Sequence, residues 1–258
     1  MGRKHIAKLA SCLVIGMLAA QGALAQEQEV QARGVNPADN DTRLDVIFKY
    51  NWLTNRAGLF TTTLKYDQRL TPELGFNVEM PVFGAFRSPG AIGIPGSGIH
   101  ESGVGDVFAR LRYVQPFGRL SLGGAIETAL PTASERVLGT GTYQINVAAL
   151  GVYAWSPTVI SAVVGKAVQS VHAFSGRRDV QENTLRAIQA FILPQARFVT
   201  FDVKYNWETI NRRDVWWETQ VEAGMMVDAR TSVSVALSRK FGDRRDRGAA
   251  TLTAKRFF

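Results

Sequence analysis

The sequence has few of the side chains on which enzyme chemistry and metal binding usually depend. Its 258 residues include one cysteine and three histidines. The cysteine, Cys12, lies in an N-terminal segment that we expect to be removed, so the remaining chain can form neither a disulfide bond nor a thiolate metal site. We therefore predict no metal site and no cofactor.

Two of the histidines, His100 and His172, follow that segment and are the candidate catalytic bases. An imidazole base must lie within hydrogen-bond reach of the nucleophile that it activates. Ser175 is three residues from His172, and residues three apart point to opposite faces of a strand. The sequence therefore predicts no catalytic residue and no enzyme.

Long apolar runs and a strong charge bias are absent as well. No stretch after residue 25 holds the roughly 18 consecutive apolar residues that a membrane-spanning helix needs. The N-terminal segment carries three of the 30 basic residues, so 27 remain against 22 acidic residues, a net charge of +5. No long basic run or RNA-binding aromatic motif accompanies this mild excess, which excludes nucleic acid as a partner.

The N-terminal 42 residues divide into two segments. Residues 1–25 have the features of a secretory signal peptide, with a basic start, a short apolar run and small residues at Ala23 and Ala25. Residues 26–42 are polar, contain glycine and proline, and show no periodicity, which predicts a mobile periplasmic leader. The mature chain is therefore expected to be exported.

From residue 43 onwards, twelve segments have the apolar and polar alternation of strands, and among them the facing of residues 159–171 is ambiguous except for an inward Lys166. In residues 44–52, for example, the apolar face ends in Tyr50 and Trp52. A face of this kind is typical of a strand that lies between lipid and water. The sequence therefore predicts an all-β fold, a transmembrane antiparallel up-and-down β-barrel of 12 strands over residues 43–258.

The lengths of the connections favour the same fold. Short links rich in proline alternate with longer ones along the chain, and bacterial outer-membrane barrels keep short turns on the periplasmic side and longer loops outside. The even strand count returns the last strand to the periplasmic side. The three long loops are predicted at residues 84–103, 131–142 and 172–182.

The last predicted strand, residues 248–258, ends on Phe258 without a polar tail. It resembles the closing strand of bacterial outer-membrane β-barrels, in which the C-terminal aromatic residue is the assembly signal. The resemblance implies that Phe258 and its strand engage the barrel-assembly machinery. It also implies a location in the cell outer membrane of a Gram-negative bacterium.

Charged side chains on the predicted strands fall on the face opposite the apolar one. A basic side chain at mid-depth in lipid would cost about 2–4 kcal/mol, so these residues are predicted to face the lumen. They form either ion pairs that fill a narrow lumen or a conduit that contacts a passing solute. The predicted lumen-lining residues are Asp45, Lys49, Glu79, Asp106, Arg110, Arg112, Glu127, Lys204, Glu218, Gln220 and Glu222.

Three of these residues alternate along one predicted strand below the longest loop. Asp106 enters the strand near the outer mouth, and Arg110 and Arg112 follow on the same face. Two arginines on one strand repel each other unless a carboxylate lies opposite. We therefore expect both to belong to an ion-paired ladder with Glu127 or Glu79 that narrows the lumen.

Short motifs within residues 103–171 resemble a known family. A Gly-x-Gly-Asp strand entry at residues 103–106, a Leu-Pro-Thr strand exit at 130–132 and a Gly-Thr-Gly loop at 139–141 occur in this order. The same order is found in the family named for a putative MetA pathway of phenol degradation. The resemblance implies an outer-membrane channel or transporter-like barrel for small organic solutes, aromatic or hydrophobic ones among them, and it supplies no catalytic residues.

Two alternatives to a channel stay open. One is an outer-membrane lipid-acting hydrolase, since an outer-membrane phospholipase also has twelve strands. The other is a closed barrel with a structural or surface-binding role. Outer-membrane lipid and lipopolysaccharide are expected partners: the loop pair Arg177 and Arg178 is either neutralised by neighbours such as Asp179 or contacts lipopolysaccharide phosphates.

Overall fold

The computed structural model describes residues 33–53, 57–87, 100–210, 214–242 and 246–258. The predicted signal peptide, residues 26–32 of the leader and residues 88–99 of the first long loop lie outside these ranges. In the described ranges there are thirteen strands. They are β1 (Arg43–Leu53), β2 (Gly58–Arg69), β3 (Leu74–Arg87), β4 (His100–Gly103), β5 (Val107–Phe117), β6 (Leu120–Leu130), β7 (Thr142–Ser156), β8 (Val159–Ala173), β9 (Gln181–Leu193), β10 (Arg197–Glu208), β11 (Val215–Asp228), β12 (Thr231–Gly242) and β13 (Asp246–Phe257).

Twelve of these strands form a closed antiparallel barrel. Consecutive strands pair with each other around the ring, β5 follows β3, and β1 closes the ring by pairing with both β2 and β13. Val46 on β1, for example, lies opposite Leu64 on β2 and Ala254 on β13. Closure pairs every strand on both sides, so the ring has no free edge. The predicted fold class is confirmed.

The three longest connections lie at one end of the barrel. We call this end the loop end, and the opposite end, where every connection has two to four residues, the short-turn end. In the described part of the chain, no helix is long and apolar enough to cross a membrane. The connections at the short-turn end are residues 70–73, 118–119, 157–158, 194–196 and 229–230.

Aromatic rings on the outer face mark both rims. Near the short-turn end, the ring centroids of Tyr153 and Trp155 are 4.7 Å apart, and near the loop end those of Tyr205 and Trp217 are 4.6 Å apart. Aromatic girdles of this kind lie where a barrel wall meets the two membrane–water interfaces. The outer face between the two rims is apolar, with exposed side chains such as Leu111 and Val147.

Alternation along each strand separates an apolar outer face from a polar inner face. On β5, Leu111 and Tyr113 are exposed on the outside, whereas Arg110 and Arg112 point inwards. The sequence left the facing of β8 ambiguous except for an inward residue at 166. Lys166 does point inwards, into an ion pair.

The two ends of the loop predicted at residues 84–103 are strands that pair with each other. β3 runs on to Arg87, past its predicted end at Val82, and β4 pairs with this extension. A register shift against β2 makes Val82 an extra residue, so Phe83 continues the outer face instead. Pro81, which has no N–H to donate to a ladder, lies beside the shift. A bulge reverses the alternation, so a period-two pattern cannot reveal the strand beyond it.

Candidate functional site

The barrel encloses a cavity of about 380 Å³ at mid-height. One wall of it is formed by the inner faces of six neighbouring strands, β5 to β10, and Pro37 from the leader lies at its floor. We call this space the chamber. Its polar lining residues are Arg110, Arg112, Glu127, Asn146, Lys166, Thr184, Arg186, Lys204 and Asn206.

Glu127 is the centre of the polar network in this wall. Its carboxylate accepts hydrogen bonds from Arg110 Nε at 2.8 Å, Lys166 Nζ at 2.6 Å and Asn146 Nδ2 at 2.7 Å. Arg110 Nη2 also donates to it. Glu127 lies opposite Arg110 in the β5–β6 register, as the sequence predicted. One buried carboxylate therefore lies between two cations, and this group of three charged residues has a net positive charge.

Two further ion pairs continue the wall on β9 to β11. Arg186 Nε donates to Asp202 Oδ2 at 2.8 Å, and Lys204 Nζ lies 3.6 Å from Glu218 Oε2. Together with Arg112, the wall holds five cations against three carboxylates. This segment of the lumen therefore carries a formal excess of two positive charges.

Arg112 differs from the predicted ladder. It lies opposite Ala125 rather than a carboxylate, and its guanidinium donates to backbone carbonyls of the leader: to Pro37 O at 3.0 Å and to Asp39 O at 2.5 Å. A third bond reaches Asn40 Oδ1 at 2.5 Å. Arg112 thus fastens the leader to the barrel wall, and the expectation that Glu127 or Glu79 pairs with it was wrong.

The described part of the leader, residues 33–42, folds into the lumen at the short-turn end. Val35 packs in an apolar cluster of inward side chains from β7 to β10, and Gly34 lies over the ring of Phe257. Gly34 has φ of +69°, and a Cβ there would come within 2.8 Å of that ring, so the position requires glycine. This part of the leader, which we call the plug, lies inside the lumen, a possibility that the sequence left open beside a mobile periplasmic leader.

A four-residue ion network surrounds the plug on the β1–β2 side. Arg43 Nη2 lies 3.0 Å from Asp67 Oδ2, and Lys65 Nζ lies 2.9 Å from the same oxygen. Asp45 contacts both cations, at 3.2 and 3.7 Å. Asp45 is therefore buried within a closed network at the short-turn end and has almost no surface towards open space.

Asp106 joins the three sequence motifs into one tether at the loop end. Its carboxylate accepts hydrogen bonds from the backbone N–H of Ala133 at 3.2 Å and of Thr140 at 2.6 Å. Gly139 lies so close that a Cβ there would meet Asp106 Oδ1 at 2.4 Å. Thr132 Oγ1 accepts from the N–H of Val107. Asp106 is therefore buried against the loop of residues 131–141 and braces it instead of lining an open lumen.

The other predicted lumen residues lie on the inner faces but outside the chamber. Lys49 lies opposite Thr61, Glu79 opposite Phe108, and Gln220 opposite Asp202 and Ser238. Glu222 borders a smaller cavity of about 180 Å³ beside the plug. Phe258 is exposed, and its N–H donates to Thr42 O at 3.0 Å, which continues the β1–β13 pairing.

Of the two candidate catalytic side chains, the structure describes His172. His172 lies on the outer face at the loop end, where its ring contacts Tyr143 and Phe174 at centroid distances of 6.3 and 5.9 Å. The side chain of His100 lies outside the described residues. Among those that are described, no group of three or more His, Cys, Asp or Glu could hold a metal ion.

The arginines of the loop end bond to backbone carbonyls. Arg177 Nη1 donates to Arg136 O at 2.9 Å and to Gly139 O at 3.2 Å, while Arg136 Nη2 donates to Gly176 O at 2.7 Å. These reciprocal bonds clasp the loop of residues 131–141 to the loop of residues 174–180. Asp179 accepts from Ser170 Oγ at 3.1 Å, and the neutralisation of the arginine pair by Asp179 stays a prediction.

The predicted lumen set does not include Arg186, Asn146 or Asp202, although the alternation on β10 does place Asp202 on the inner face with Lys204. The alternation of Thr184 and Arg186 with apolar outward residues does identify an inner face on β9. The face then continues with Ile188, which is buried inside the barrel against the plug. An apolar inner residue breaks the alternation, and this break obscured the polar residues above it.

The plug carries a titratable group whose environment disfavours its charge. Burial, followed by the nearby Asp41 carboxylate, raises the pKa of Asp39 to about 6. The plug binds this proton more tightly in the lumen than it does after release. The free energy that holds the plug in the lumen therefore becomes less favourable as the pH rises from about 4 to about 6, and it is constant above that range. Release is therefore expected to be more frequent at pH 7.5 than at pH 4.5.

Asp39→Asn should remove this dependence. The asparagine carries no charge and keeps an oxygen that can accept from Asn36 Nδ2, as the aspartate does at 2.9 Å. With a fluorescent label on the leader, we expect release of the wild-type plug to become more frequent between pH 4.5 and 7.5, and release of the Asp39→Asn plug to stay rare throughout. An equal pH dependence in both proteins would show that Asp39 does not control seating.

Comparison with known proteins gives the fold a context. No protein family model and no curated protein matches the sequence. The structure is similar to the COG4313 outer membrane channel from Pseudomonas putida F1, with 16% identity, a TM-score of 0.65, and coverage of 91% of this chain and 100% of that one. It is also similar to the NanC porin, with 8% identity, a TM-score of 0.62, and coverage of 83% and 99%.

A third similar structure is the CymD monoaromatic hydrocarbon channel, with 10% identity, a TM-score of 0.50, and coverage of 93% of this chain and 96% of that one. The chain therefore has the fold of outer-membrane channel barrels. Membership of the MetA-pathway family, which the motifs suggested, stays a prediction.

Proposed function

We propose that the protein is a passive outer-membrane channel for small organic solutes, closed in its resting state by residues 33–42. The observation that carries this proposal is the chamber, a charged cavity of about 380 Å³ enclosed by the barrel wall and floored by the plug. A barrel with a merely structural role gains nothing from cations that are exposed to a cavity while their carboxylate partners are buried. The fold, shared with an outer membrane channel and a monoaromatic hydrocarbon channel, supports the same function.

A closed barrel with a structural or surface-binding role is the second candidate. The observation in its favour is the plug itself, because Arg112 and the apolar cluster around Val35 fill the short-turn end. The lipid-acting hydrolase has no comparable support, since the described contacts of the His172 ring are with Tyr143 and Phe174 and not with a serine nucleophile. The two remaining candidates differ in one measurable property, ion passage.

Planar-bilayer recording distinguishes them. The purified mature chain and a chain that begins at residue 42 are compared, with heat-modifiable gel mobility as the check that both are folded barrels. Discrete conductance steps that are larger or more frequent in the shortened chain support the channel. Silence of both folded proteins would establish the closed barrel and end the proposal.

We also propose that the outer face contacts lipid and lipopolysaccharide, and that the C-terminal strand engages the assembly machinery. Phe258 is 68% exposed and pairs with the barrel only through its backbone. Removing Phe258 should therefore leave the β1–β13 register intact but lower the yield of folded barrel in cells. An unchanged yield would remove Phe258 from the assembly signal.

A further inference from the structure

Cations and apolar side chains lie next to one another on the chamber wall. Along β8, Lys166 is followed towards the short-turn end by Val164, and along β9, Arg186 is followed by Ile188. In the register, Val164 lies opposite both Leu150 and Arg186. We call Lys166 and Arg186 the cationic set, and Leu150, Val164 and Ile188 the apolar set. A solute in the chamber would meet both sets at once.

The two residues of the cationic set are the exposed members of their ion pairs. The side chains of Lys166 and Arg186 are 32% and 38% exposed, whereas those of Glu127 and Asp202, their partners, are 7% and 2% exposed. The carboxylates thus lie behind the cations, against the wall. Free hydrogen-bond donors of the cations face the cavity, and a guanidinium or ammonium in this position is suited to a carboxylate.

The apolar set offers a surface on which the apolar part of a solute can lie. Leu150 and Ile188 belong to, or pack against, the apolar cluster that includes Val35 of the plug, and Pro37 covers the floor. The chamber volume falls in the range of small-molecule sites, about 300–1,000 Å³, near its lower limit. The site is therefore matched to a compact molecule rather than to a chain of sugars.

We infer that the chamber selects small organic monocarboxylates with an apolar body, on the premise that the protein is the channel proposed above. The carboxylate binds between Lys166 and Arg186, and the apolar body lies on Leu150 and Ile188. The positive excess of the wall concentrates such anions, while the apolar set favours them over inorganic anions of the same charge. Neutral aromatic compounds lack the carboxylate that the cationic set recognises.

Benzoate and benzyl alcohol are the probes, because they share an apolar ring and differ in the carboxylate. The folded full mature chain is titrated with each by calorimetry, and reversal potentials are recorded under gradients of potassium chloride and potassium benzoate. We expect binding of benzoate but not of benzyl alcohol, and permeation of benzoate in preference to potassium. Lys166→Gln should weaken benzoate binding by about tenfold or more, because a charge-assisted hydrogen bond is lost.

Two further variants separate a direct contact from a structural effect. Arg186→Lys keeps the charge beside Asp202 and should bind benzoate with an affinity within a few-fold of the wild type. Arg239→Gln removes a cation on the outer face, over the Phe241 ring, and should leave the affinity for benzoate unchanged. A folded channel that binds the two probes equally, or that prefers potassium, overturns the inference and leaves the channel intact. A silent barrel overturns the channel itself, while benzoate binding by calorimetry would still establish the site.

Discussion

Replacing Arg112 with alanine is expected to release the plug and to raise the mean conductance several-fold. Arg112 makes three hydrogen bonds to the leader, through Pro37 O, Asp39 O and Asn40 Oδ1, and hydrogen bonds from a charged donor contribute about 1.5–3 kcal/mol each. Their loss leaves the plug held mainly by Val35 and its apolar cluster. The removed cation should also shift ion selectivity towards cations.

Arg110→Ala is the matched control. Arg110 lies two residues away on the same inner face and bonds to Glu127 rather than to the leader. It should change selectivity in the same direction without the rise in open events. The difference between the two variants isolates the latch from the general effect of removing a cation.

A chain that begins at residue 42 provides the second test. If Arg112 acts by holding the plug, Arg112→Ala should add little conductance once residues 33–41 are gone, and the two changes should be non-additive. Full additivity would mean that Arg112 obstructs the pore by itself. Conductance unchanged by Arg112→Ala in the complete chain would contradict the latch altogether.

The barrel was predictable because its determinants are local. On β1 and β10, apolar residues such as Phe48 and Phe201 alternate with inward Asp45 and Asp202, and each such pattern needs only its own segment to be recognised. The difference in length between the two sets of connections is also local. An apolar outer face and a polar inner face require a period of two along each strand.

The plug and its latch depend instead on contacts between distant parts of the chain. Arg112 bonds to residues more than 70 positions away, and nothing in its own strand distinguishes it from Arg110. Residues 33–42 have no periodicity because they form turns, such as the one in which Asn36 Oδ1 accepts from the N–H of Ala38. Only the assembled lumen provides the carbonyl partners and the apolar cluster that order them.

The tether at Asp106 was hidden for the same reason, although its motifs were visible. Residues 103–106 and 139–141 stood out as glycine-rich, and the sequence placed Asp106 on an inner face. Its partners, the N–H groups of Ala133 and Thr140, belong to a loop whose conformation no alternation specifies. A glycine pattern indicates a close approach without saying what approaches.

Replacing Glu127 with glutamine is expected to destabilise the barrel and to increase its preference for anions. The carboxylate is 5% exposed and accepts from Arg110, Lys166 and Asn146. A glutamine of the same shape presents an N–H₂ group to these donors and leaves two cations without a counter-charge. Breaking a buried ion pair costs about 3–5 kcal/mol, and the lower part of that range applies because both cations reach the lumen water.

Asn146→Ala separates the loss of a hydrogen bond from the loss of a charge. It removes one donor to Glu127 at a cost of about 1–3 kcal/mol and leaves the charges of the wall unchanged, so its selectivity should equal that of the wild type. Urea unfolding in lipid vesicles gives the stability of each variant, and reversal potentials give its selectivity. Glu127→Gln should change both, and the double variant Glu127→Gln, Lys166→Met should regain part of the stability, since it removes one of the two uncompensated cations. If Glu127→Gln matched the wild type in both measurements, the two cations would have to be hydrated independently of their carboxylate, and the wall would carry no organised charge.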